Sequence, residues 1–482
     1  MENLYQKPSK QSPKYKQIMD YIREKIANGE WPIGSNIPSQ RKLAELFGVN
    51  RSTIITALEE LMADGLIEGI KGKGTVVVNN TWTLLAGNSF PDWNIHLKSG
   101  LHKPSQSAVQ EINQAESNKE LIQLSKGELS RDLFPIDSMQ KVIQKVSENM
   151  EAFGYEEPKG FLPLREALSN YLRTIGVNAS SSSILIVSGA LQALQLISVG
   201  LLPKESTVLL ENPSYLYSLQ VFQSAGMKLS GLPMDEDGIL PNFISVSKKQ
   251  RSKAILYSIP SFHNPTGILM SEKRRQELIQ VCEKEQLPII EDDIYRELWI
   301  DEQSPSPLKA MDKHGHVLYL GSLSKSLTPG LRIGWIVGPE PIIERLSDIK
   351  MQTDYGTSSL SQRVAVEWLT SGLYQQHVES VRKQLKIRRE VMLDAIETHL
   401  NDISTWNVPK GGFFIWLKIL PKISMRELYM RALSKGILLN PGNIYTKESN
   451  RYLRLSYAYA PLEELKTGIY EISLMIRELS NH

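Results

Sequence analysis

The residues able to carry covalent chemistry lie in one short stretch of the chain, Ser322–Arg332, which reads SLSKSLTPGLR. Lys325 lies between two serines, and Arg332 follows a Pro-Gly turn. A lysine amine forms a Schiff base with an aldehyde, and hydroxyls together with a guanidinium bind a phosphate. Pyridoxal 5′-phosphate (PLP) carries both groups in one molecule. We therefore predict that Lys325 binds PLP covalently, with Ser322, Ser324 and Arg332 at its phosphate.

A second segment is suited to the same phosphate. Ser188, Gly189 and Ala190 follow a predicted strand and open the helical pattern ALQALQLI. The free N–H groups in the first turn of a helix favour an anion. We predict that these three residues also bind the cofactor phosphate.

Four further residues match the remaining parts of PLP, whose pyridine nitrogen must stay protonated and whose ring must be stacked. Asp292, at the end of LPIIEDD, can pair with the pyridine nitrogen. Asn264 in HNPTG and Tyr295 can hydrogen-bond the 3-oxygen, and Tyr215 can cover the ring face. Each residue alone has an ordinary interpretation as a turn, a helix start or a core aromatic. The prediction therefore depends on their occurring together and in this order.

These residues need a scaffold that brings distant segments together. Short apolar runs rich in β-branched residues alternate with helical patterns along this part of the chain. Such runs predict a parallel sheet covered on both faces, in which ligands bind beyond the carboxyl ends of the strands. Because the candidate residues follow those ends, we expect one shared pocket. The predicted strands are Ile184–Val187, Val208–Leu210, Ala254–Ile259, Leu287–Glu291, Val317–Leu320 and Ile333–Val337.

The first part of the chain has a different pattern, in which three short amphipathic helices precede two β segments. The second helix opens after Ser39 and is expected to bury Leu46. The third is capped by Asn50 and is expected to bury Met62. A basic turn, KGKG, joins the β segments, and its glycines permit the positive φ of a tight hairpin. The order of elements predicts a winged helix-turn-helix. The two β segments are Leu66–Ile70 and Thr75–Val78.

In a winged helix-turn-helix the third helix enters the major groove of DNA, with its N-terminal residues nearest the bases. Those residues are Arg51, Ser52 and Thr53. An arginine can pair with guanine, and hydroxyls can contact a base edge or a phosphate. Lys71 and Lys73 on the wing suit phosphates or the minor groove. Three amphipathic helices alone would equally fit a small domain whose polar faces are simply solvated.

Composition limits the class of protein. The chain has 482 residues, of which 41% are hydrophobic and 22% charged, and a net charge of +2. A chain of this length is expected to form two or three domains. The single cysteine, Cys282, excludes an internal disulfide and fits a reducing compartment. The N-terminus lacks a signal-peptide core and no apolar run approaches a membrane span. We expect a cytoplasmic protein without a membrane segment, and predict no metal site.

Two resemblances extend these predictions. The segment PSQRKLAELFGVNRSTIITALEELMADGLI with the following KGKGTVVV resembles the DNA-binding domain of GntR-type regulators. That resemblance implies DNA contacts from Ser39, Arg41, the Arg-Ser-Thr run and Gly74. From residue 121 to the C-terminus, the motifs SGALQAL, ENPSYLYS, HNPTG, EDDIYREL and SLSKSLTPGLRIGW resemble those of fold-type I, class I aminotransferases.

The aminotransferase resemblance implies three more site residues and a dimer. Arg454 matches the arginine that clamps the substrate α-carboxylate, and Gly127 matches a substrate-side backbone contact. Tyr155 matches a tyrosine that reaches the cofactor of the partner subunit, so the site would require a homodimer. Many relatives carry a hydroxyl or glutamine where this chain has Ala190 and Leu191. Phosphate binding must then depend more on backbone N–H groups and on the serines and arginine named above.

Taken together, the chain is similar to MocR-type transcriptional regulators. The expected domains are a GntR-type DNA-binding domain (1–78), a linker without sustained periodicity (79–120) and an aminotransferase-like α/β domain (121–482). The last is expected to have a large, mostly parallel sheet and a smaller α+β C-terminal part. A homodimer would bind double-stranded operator DNA and sense a small amine or amino acid, which forms an external aldimine with PLP in place of Lys325. Two alternatives stay open: an active aminotransferase with an appended DNA-binding domain, and a regulator whose effector is PLP itself.

Overall fold

A computed structural model describes residues 13–27, 30–70, 72, 74–79, 106–149, 154–245 and 253–480. The chain divides into two compact units, Met1–Gly100 and Leu101–His482, which we call the head and the body. No helix in the described part of the chain is long and apolar enough to cross a membrane.

The described part of the head consists of three helices followed by a hairpin. Their apolar faces close over one core in which Ile18, Ile22, Leu43 and Ile54 are fully buried. Burying a side chain of this size contributes about 1.5–3 kcal/mol. The winged helix-turn-helix order predicted from the sequence is confirmed. The elements are α1 (Lys14–Ala27), α2 (Gln40–Phe47), α3 (Arg51–Ala63), β1 (Ile67–Ile70) and β2 (Gly74–Val77).

Two details of the predicted head are wrong, and a third is only partly right. Leu46 is 62% exposed and Met62 is 37% exposed, so neither belongs to the core. In the eight-residue helix α2, Leu43 and Phe47 already cover the face that packs, and Leu46 lies about 80° away from the middle of that face. Asn50 is the N-cap residue of α3, as predicted, and has an extended conformation, but its side chain makes no capping hydrogen bond. Ser39, by contrast, caps α2 by accepting from the N–H of Lys42.

The main sheet of the body has seven strands among the described residues, in the order β4-β12-β11-β10-β9-β5-β6. All are parallel except β12, which runs antiparallel to β11 and β4. The six predicted strands are present within two residues at each end. The body strands are β3 (Ile122–Gln123), β4 (Ile184–Val187), β5 (Thr207–Glu211), β6 (Lys228–Leu232), β7 (Met234–Asp235), β8 (Gly238–Ile239), β9 (Ala254–Ser258), β10 (Ile289–Asp292), β11 (Val317–Ser322), β12 (Gly334–Val337), β13 (Ser404–Trp406), β14 (Phe414–Ile419), β15 (Ile437–Leu438) and β16 (Tyr452–Ser456).

Helices cover both faces of this sheet. In β4, Ile184 and Ile186 belong to one apolar core, while Leu185 and Val187 belong to another. This division explains why the strands are continuous apolar runs. The body helices are α4 (Ser107–Ala115), α5 (Ile136–Glu148), α6 (Leu162–Thr174), α7 (Ala190–Gly200), α8 (Val221–Ser224), α9 (Glu272–Glu285), α10 (Leu308–Met311), α11 (Glu340–Met351), α12 (Ser359–Thr370), α13 (Leu373–Leu400), α14 (Met425–Ser434) and α15 (Leu462–Ser480).

A smaller α+β part follows the main sheet. Its antiparallel sheet has the order β13-β14-β16, and β15 pairs in parallel with β3 from the beginning of the body. The fold is therefore the α/β architecture predicted for a fold-type I aminotransferase, with its smaller C-terminal part.

Helix α4 lies in the segment to which the sequence pattern assigned a linker. Val109 and Ile112, one helical turn apart, are buried and join the main core of the body. The second half of that segment is thus part of the body's packing.

Candidate functional site

Lys325 follows the carboxyl end of β11 and is half-buried. Its Nζ donates to the backbone oxygen of Gly127 at 2.6 Å. Burial lowers the pKa of this amine from 10.5 to about 8; the charge of Glu128 opposes the shift and that of Arg454 adds to it. A lowered pKa leaves more of the amine neutral near physiological pH, as a nucleophile requires.

Asp292 ends β10, the strand next to β11, and is buried. Its Oδ2 accepts from the Tyr257 hydroxyl at 2.6 Å, while its buried Oδ1 has no partner among the described residues. Burial raises the pKa of this carboxyl to about 6, against the stabilising hydrogen bond from Tyr257. A buried acceptor without a donor is unfavourable, and the protonated pyridine nitrogen of PLP is a donor that Oδ1 could accept from. The residues present therefore fit the cofactor.

Four of the predicted phosphate residues are joined in two pairs. Ser322 Oγ donates to Ser324 Oγ at 3.0 Å, and Arg332 Nη2 donates to the backbone oxygen of Ser188 at 2.7 Å. Gly189 has φ +86°, and a Cβ there would lie 2.7 Å from Arg332 Nη2. Only glycine leaves this approach open. The next residue, Ala190, begins α7, so the free N–H groups of that helix start here, as predicted.

The predicted ring-contacting residues come together around the lysine. The Asn264 Nδ2 atom lies 3.4 Å from the Tyr295 hydroxyl, and the N–H of Tyr215 donates to the backbone oxygen of Asn264. Lys325 Nζ lies 6.0 Å from the centre of the Tyr295 ring. Asn264 and Tyr295 are buried, and Tyr215 is half-buried.

Arg454, from β16, is buried, with its guanidinium against aromatic rings. Nη1 donates to Asn264 Oδ1 at 2.9 Å and Nη2 to the backbone oxygen of Ser125 at 2.7 Å. The guanidinium carbon lies 4.1 Å from the centre of the Phe414 ring. Among the described residues, Nε is buried without a partner and the guanidinium forms no ion pair with a carboxylate. A buried cation without a counter-ion is suited to a ligand carboxylate.

A cavity of about 210 Å³ lies among these groups. Seven of the predicted residues line it, while the predicted phosphate residues lie outside its lining, around the start of α7 and the end of β11. The seven are Gly127, Tyr215, Asn264, Asp292, Tyr295, Lys325 and Arg454.

Tyr155 is not in the pocket of its own chain. Its side chain is 81% exposed, and its ring lies 4.9 Å from that of Tyr355. Its predicted contact with the cofactor of a partner subunit stays a prediction.

Several residues in the pocket or directly behind its lining were not predicted from the sequence. Tyr257, the partner of Asp292, lies inside an apolar strand and looks like core. Val109, Ile112 and Glu116 line the cavity from α4 and its C-terminal end. Their i, i+3, i+7 spacing was a usable signal, because it is the pattern of one helix face.

The candidate DNA-contacting residues of the head lie on its surface. Arg51 and Ser52 are exposed at the first turn of α3 and Thr53 is half-buried, and their contact with DNA stays a prediction. Arg51 Nε donates to Gln40 Oε1 at 3.1 Å, and Arg41 pairs with Glu45 at the same distance. Ser39 is exposed at the cap of α2, and Gly74 begins β2 with φ +91°. Lys71 and Lys73 lie outside the described residues.

Across the described residues, no group of acidic, histidine or cysteine side chains is arranged to hold a metal ion.

Comparison with known families agrees with both units. Residues 14–77 match the bacterial regulatory proteins of the gntR family, and residues 119–472 match the class I and II aminotransferases. Aminotransferases of this class use PLP, the cofactor that the pocket fits.

Similar proteins cover nearly the whole chain. It is 71% identical over 476 residues to the HTH-type transcriptional regulator YdfD of Bacillus subtilis (strain 168), covering 99% of both chains. It is 36% identical over 451 residues to the HTH-type transcriptional regulator NorG of Staphylococcus aureus (strain USA300), covering 92% of this chain and all of that one.

Solved structures match the body. The kynurenine aminotransferase of Pyrococcus horikoshii, solved with PMP, is 31% identical, with a TM-score of 0.74 over 82% of this chain and 99% of that one. An archaeal alanine:glyoxylate aminotransferase is 27% identical, with a TM-score of 0.75 over 80% of this chain and all of that one. The chain therefore belongs to the transcriptional regulators that join a GntR-type DNA-binding domain to a class I and II aminotransferase domain, the MocR type.

Proposed function

We propose that this regulator acts as a homodimer that senses a small amine or amino acid in the cavity around Lys325 and changes its binding to operator DNA in response. The observation that carries the proposal is the cavity itself. Within the part of the chain that the structure describes, it combines an amine of lowered pKa (Lys325), an unpartnered carboxylate oxygen (Asp292) and a buried guanidinium without a counter-ion (Arg454), in a chain with a DNA-binding head.

Each group has a distinct task in this proposal. PLP, when bound, supplies an aldehyde that condenses reversibly with primary amines. Lys325 holds the cofactor covalently, and Asp292 accepts a hydrogen bond from the pyridine nitrogen and keeps it protonated. Arg454 binds the carboxylate of an amino-acid effector. Phe414 and Tyr445 keep water from the guanidinium, which strengthens that ion pair.

The phosphate is assigned to Ser322, Ser324, Arg332 and the helix start at Ser188–Ala190. Tyr155, exposed on each subunit, would complete the partner's site, which is the reason for proposing a homodimer. Asn264 and Tyr295 would orient the 3-oxygen, with Tyr215 over the ring and Gly127 on the effector side.

The head would bind DNA through the start of α3. Arg51, Ser52 and Thr53 would contact base edges in the major groove, while Ser39, Arg41 and Gly74 would contact the backbone. An effector changes DNA binding only if it favours one conformation of the dimer, and couplings of about 1–3 kcal/mol are usual.

The test is a titration of the full-length, PLP-loaded protein with amino acids and ω-amino acids. We expect one compound to shift the visible absorption band lastingly and, at the same concentration, to change the affinity for a DNA site selected from a random library. A spectral shift without any change in DNA affinity would contradict sensing.

A working aminotransferase is the second candidate, favoured by the complete set of cofactor and carboxylate groups. It predicts that the same compound converts the cofactor to its pyridoxamine form and that an oxo acid restores the original spectrum. A regulator whose effector is PLP itself would change its DNA affinity on addition of PLP alone, with no amino acid required.

A further inference from the structure

Charges in the cavity are incompletely paired. Lys126 and Glu128 form an ion pair at 3.6 Å, and Asp292 faces the lysine that holds the cofactor. This leaves Arg454 and Glu116, a cation and an anion, each without an ion-pair partner within 4 Å among the described residues. The charged side chains lining the cavity are Lys126, Lys325, Arg454, Glu116, Glu128 and Asp292.

Glu116 is held at the end of α4 with one oxygen unused. Its Oε1 accepts from Ser125 Oγ at 3.2 Å, whereas Oε2 accepts no hydrogen bond from the part of the chain that the structure describes. Burial raises the pKa of this carboxyl, and the charge of Arg454 opposes the shift. Glu116 is thus close enough to Arg454 to be affected by its charge, but is not its partner.

The location of Glu116 also favours a cation on independent grounds. The residue is the C-cap of the nine-residue helix α4. The C-terminal end of a helix carries a partial negative charge, which disfavours a carboxylate and stabilises a cation there. Helix end and carboxylate therefore create a negative potential on one side of the cavity, while Arg454 makes the other side positive.

We infer that Glu116 determines effector specificity and that the effector is an amino acid with a second ammonium group. Its reactive amine would meet the cofactor at Lys325, its carboxylate would pair with Arg454, and its second ammonium would pair with Glu116. This inference rests on the proposed function, and it names the chemical class of the sensed molecule.

Other classes of amino acid fit the same charges less well. A dicarboxylic amino acid would bring a second carboxylate to Glu116, and like charges in a cavity discriminate strongly against a ligand. An aliphatic amino acid would pair with Arg454 but would cover Glu116 without replacing its water, which costs free energy.

The experiment compares matched amino acids by calorimetry on the full-length, PLP-loaded protein. The ammonium-bearing compounds are L-2,4-diaminobutyrate, L-ornithine and L-lysine. Their uncharged counterparts of equal length are L-norvaline, L-norleucine and L-2-aminoheptanoate, and L-glutamate is the anionic one. We expect one ammonium compound to bind at least about tenfold more tightly than its counterpart, which corresponds to a single favourable ion pair. L-glutamate should bind most weakly.

Two variants locate the effect. Glu116→Gln should reduce the preference for the ammonium compound to about unity, the level of the uncharged counterpart, and should improve binding of L-glutamate. Glu111→Gln removes the same charge from the exposed face of the same helix, where Glu111 pairs with Arg426, and should leave the preference intact. Thermal unfolding with and without PLP verifies that both variants are folded and loaded.

The outcomes separate this inference from the proposed function. If uncharged amino acids or L-glutamate bind the unaltered protein as tightly as the ammonium compounds, or if Glu116→Gln keeps the preference, the role of Glu116 is overturned while amino-acid sensing stands. If no compound in the panel binds while DNA binding is normal, amino-acid sensing fails and the role of Glu116 fails with it.

Discussion

In the head, the candidate DNA-contacting residues are exposed and close in sequence, whereas the candidate pocket residues of the body are buried and distant in sequence. Arg51 and Ser52 lie at the surface in the first turn of one helix. Asp292, Lys325 and Arg454 follow or lie on three different strands and line one cavity. Local sequence thus determines the first set, and the topology of two sheets determines the second.

The difference has an energetic side. Exposed residues of the head are solvated when DNA is absent, so each contributes separately to DNA binding. The body holds buried groups that lack partners among the residues described, such as Asp292 Oδ1 and Arg454 Nε. Such groups stay unfavourable until a ligand supplies the missing partner. We therefore expect large, ligand-specific effects from substitutions in the body and smaller, additive effects from substitutions in the head.

The largest effect is expected from Lys325→Ala. Loss of the amine placed at the predicted aldehyde position should abolish covalent PLP attachment, measured as disappearance of the visible absorption band and of the cofactor adduct after borohydride reduction. Lys141→Ala, an exposed lysine on α5, is the matched control and should keep the band. DNA affinity without effector should be unchanged in both variants. A loss of that affinity in Lys325→Ala alone would show that DNA binding by the head depends on the cofactor in the body.

Arg454→Met should have the next largest effect, and only on ligands with a carboxylate. Removing one partner of a buried ion pair costs about 2–5 kcal/mol. The variant should lose most of the preference for L-norleucine over pentylamine, which lacks the carboxylate, in calorimetry on the PLP-loaded protein. Arg451→Met, three residues earlier and outside the cavity lining, should keep that preference. Equal losses for both ligands would mean that Arg454 acts only by stabilising the fold.

The elements that could be predicted from the sequence are those whose signal lies within one short segment. The central strands were predictable because a strand buried on both faces is a continuous apolar run. The edge strand β6, with the sequence KLSGL, was missed because its exposed positions interrupt any such run. The start of α3 was predictable because a cap, a polar first turn and an apolar stripe lie within a few residues.

The missed parts of the pocket depend on contacts between distant segments. Tyr257 meets Asp292 because β9 and β10 pair in a register that puts Tyr257 opposite Ile290. No pattern within either strand contains this information. Glu116 reaches the cavity because α4 packs on the main core. The amphipathic spacing of α4 indicated this packing, but the polar and proline-containing sequence around the helix obscured it. The exposure of Leu46 shows the opposite error, since an apolar residue in a short helix need not face the core.

Arg51→Ala tests the head in the same terms. Loss of an arginine that contacts a base should weaken binding to the selected DNA site by about 1–3 kcal/mol and relax the sequence preference at one position. Arg345→Ala removes an exposed arginine from α11 of the body and serves as the control for net charge. Fluorescence anisotropy with labelled DNA measures both variants. A uniform loss across all sequences would instead assign Arg51 to the phosphate backbone.

The rate of PLP capture should depend on pH through Lys325. Since burial lowers the pKa of this amine from 10.5 to about 8, the neutral, nucleophilic form decreases as pH falls below that value. Capture should therefore slow by about tenfold per pH unit below pH 8 and level off above it, as followed by stopped-flow absorption. Glu128→Gln removes a charge that raises this pKa, so the profile should move to lower pH. A rate that still increases beyond pH 10 would indicate a solvated lysine, and Lys325 would then not differ from the exposed residues of the head.

The smallest effect is expected within the head, where two neighbouring helix starts differ in one hydrogen bond. Ser39 caps α2 through Lys42, and loss of such a cap costs about 0.5–2 kcal/mol. Asn50 occupies the same position before α3 but makes no capping hydrogen bond, so Asn50→Ala should lower the free energy of unfolding of the head by less than Ser39→Ala does. Urea unfolding of the full-length protein, followed by hydrogen exchange of the buried backbone amides of the head, measures both. If Asn50→Ala proves the more costly, its side chain caps α3 in solution, and the local sequence would then predict the head more completely than the structure indicates.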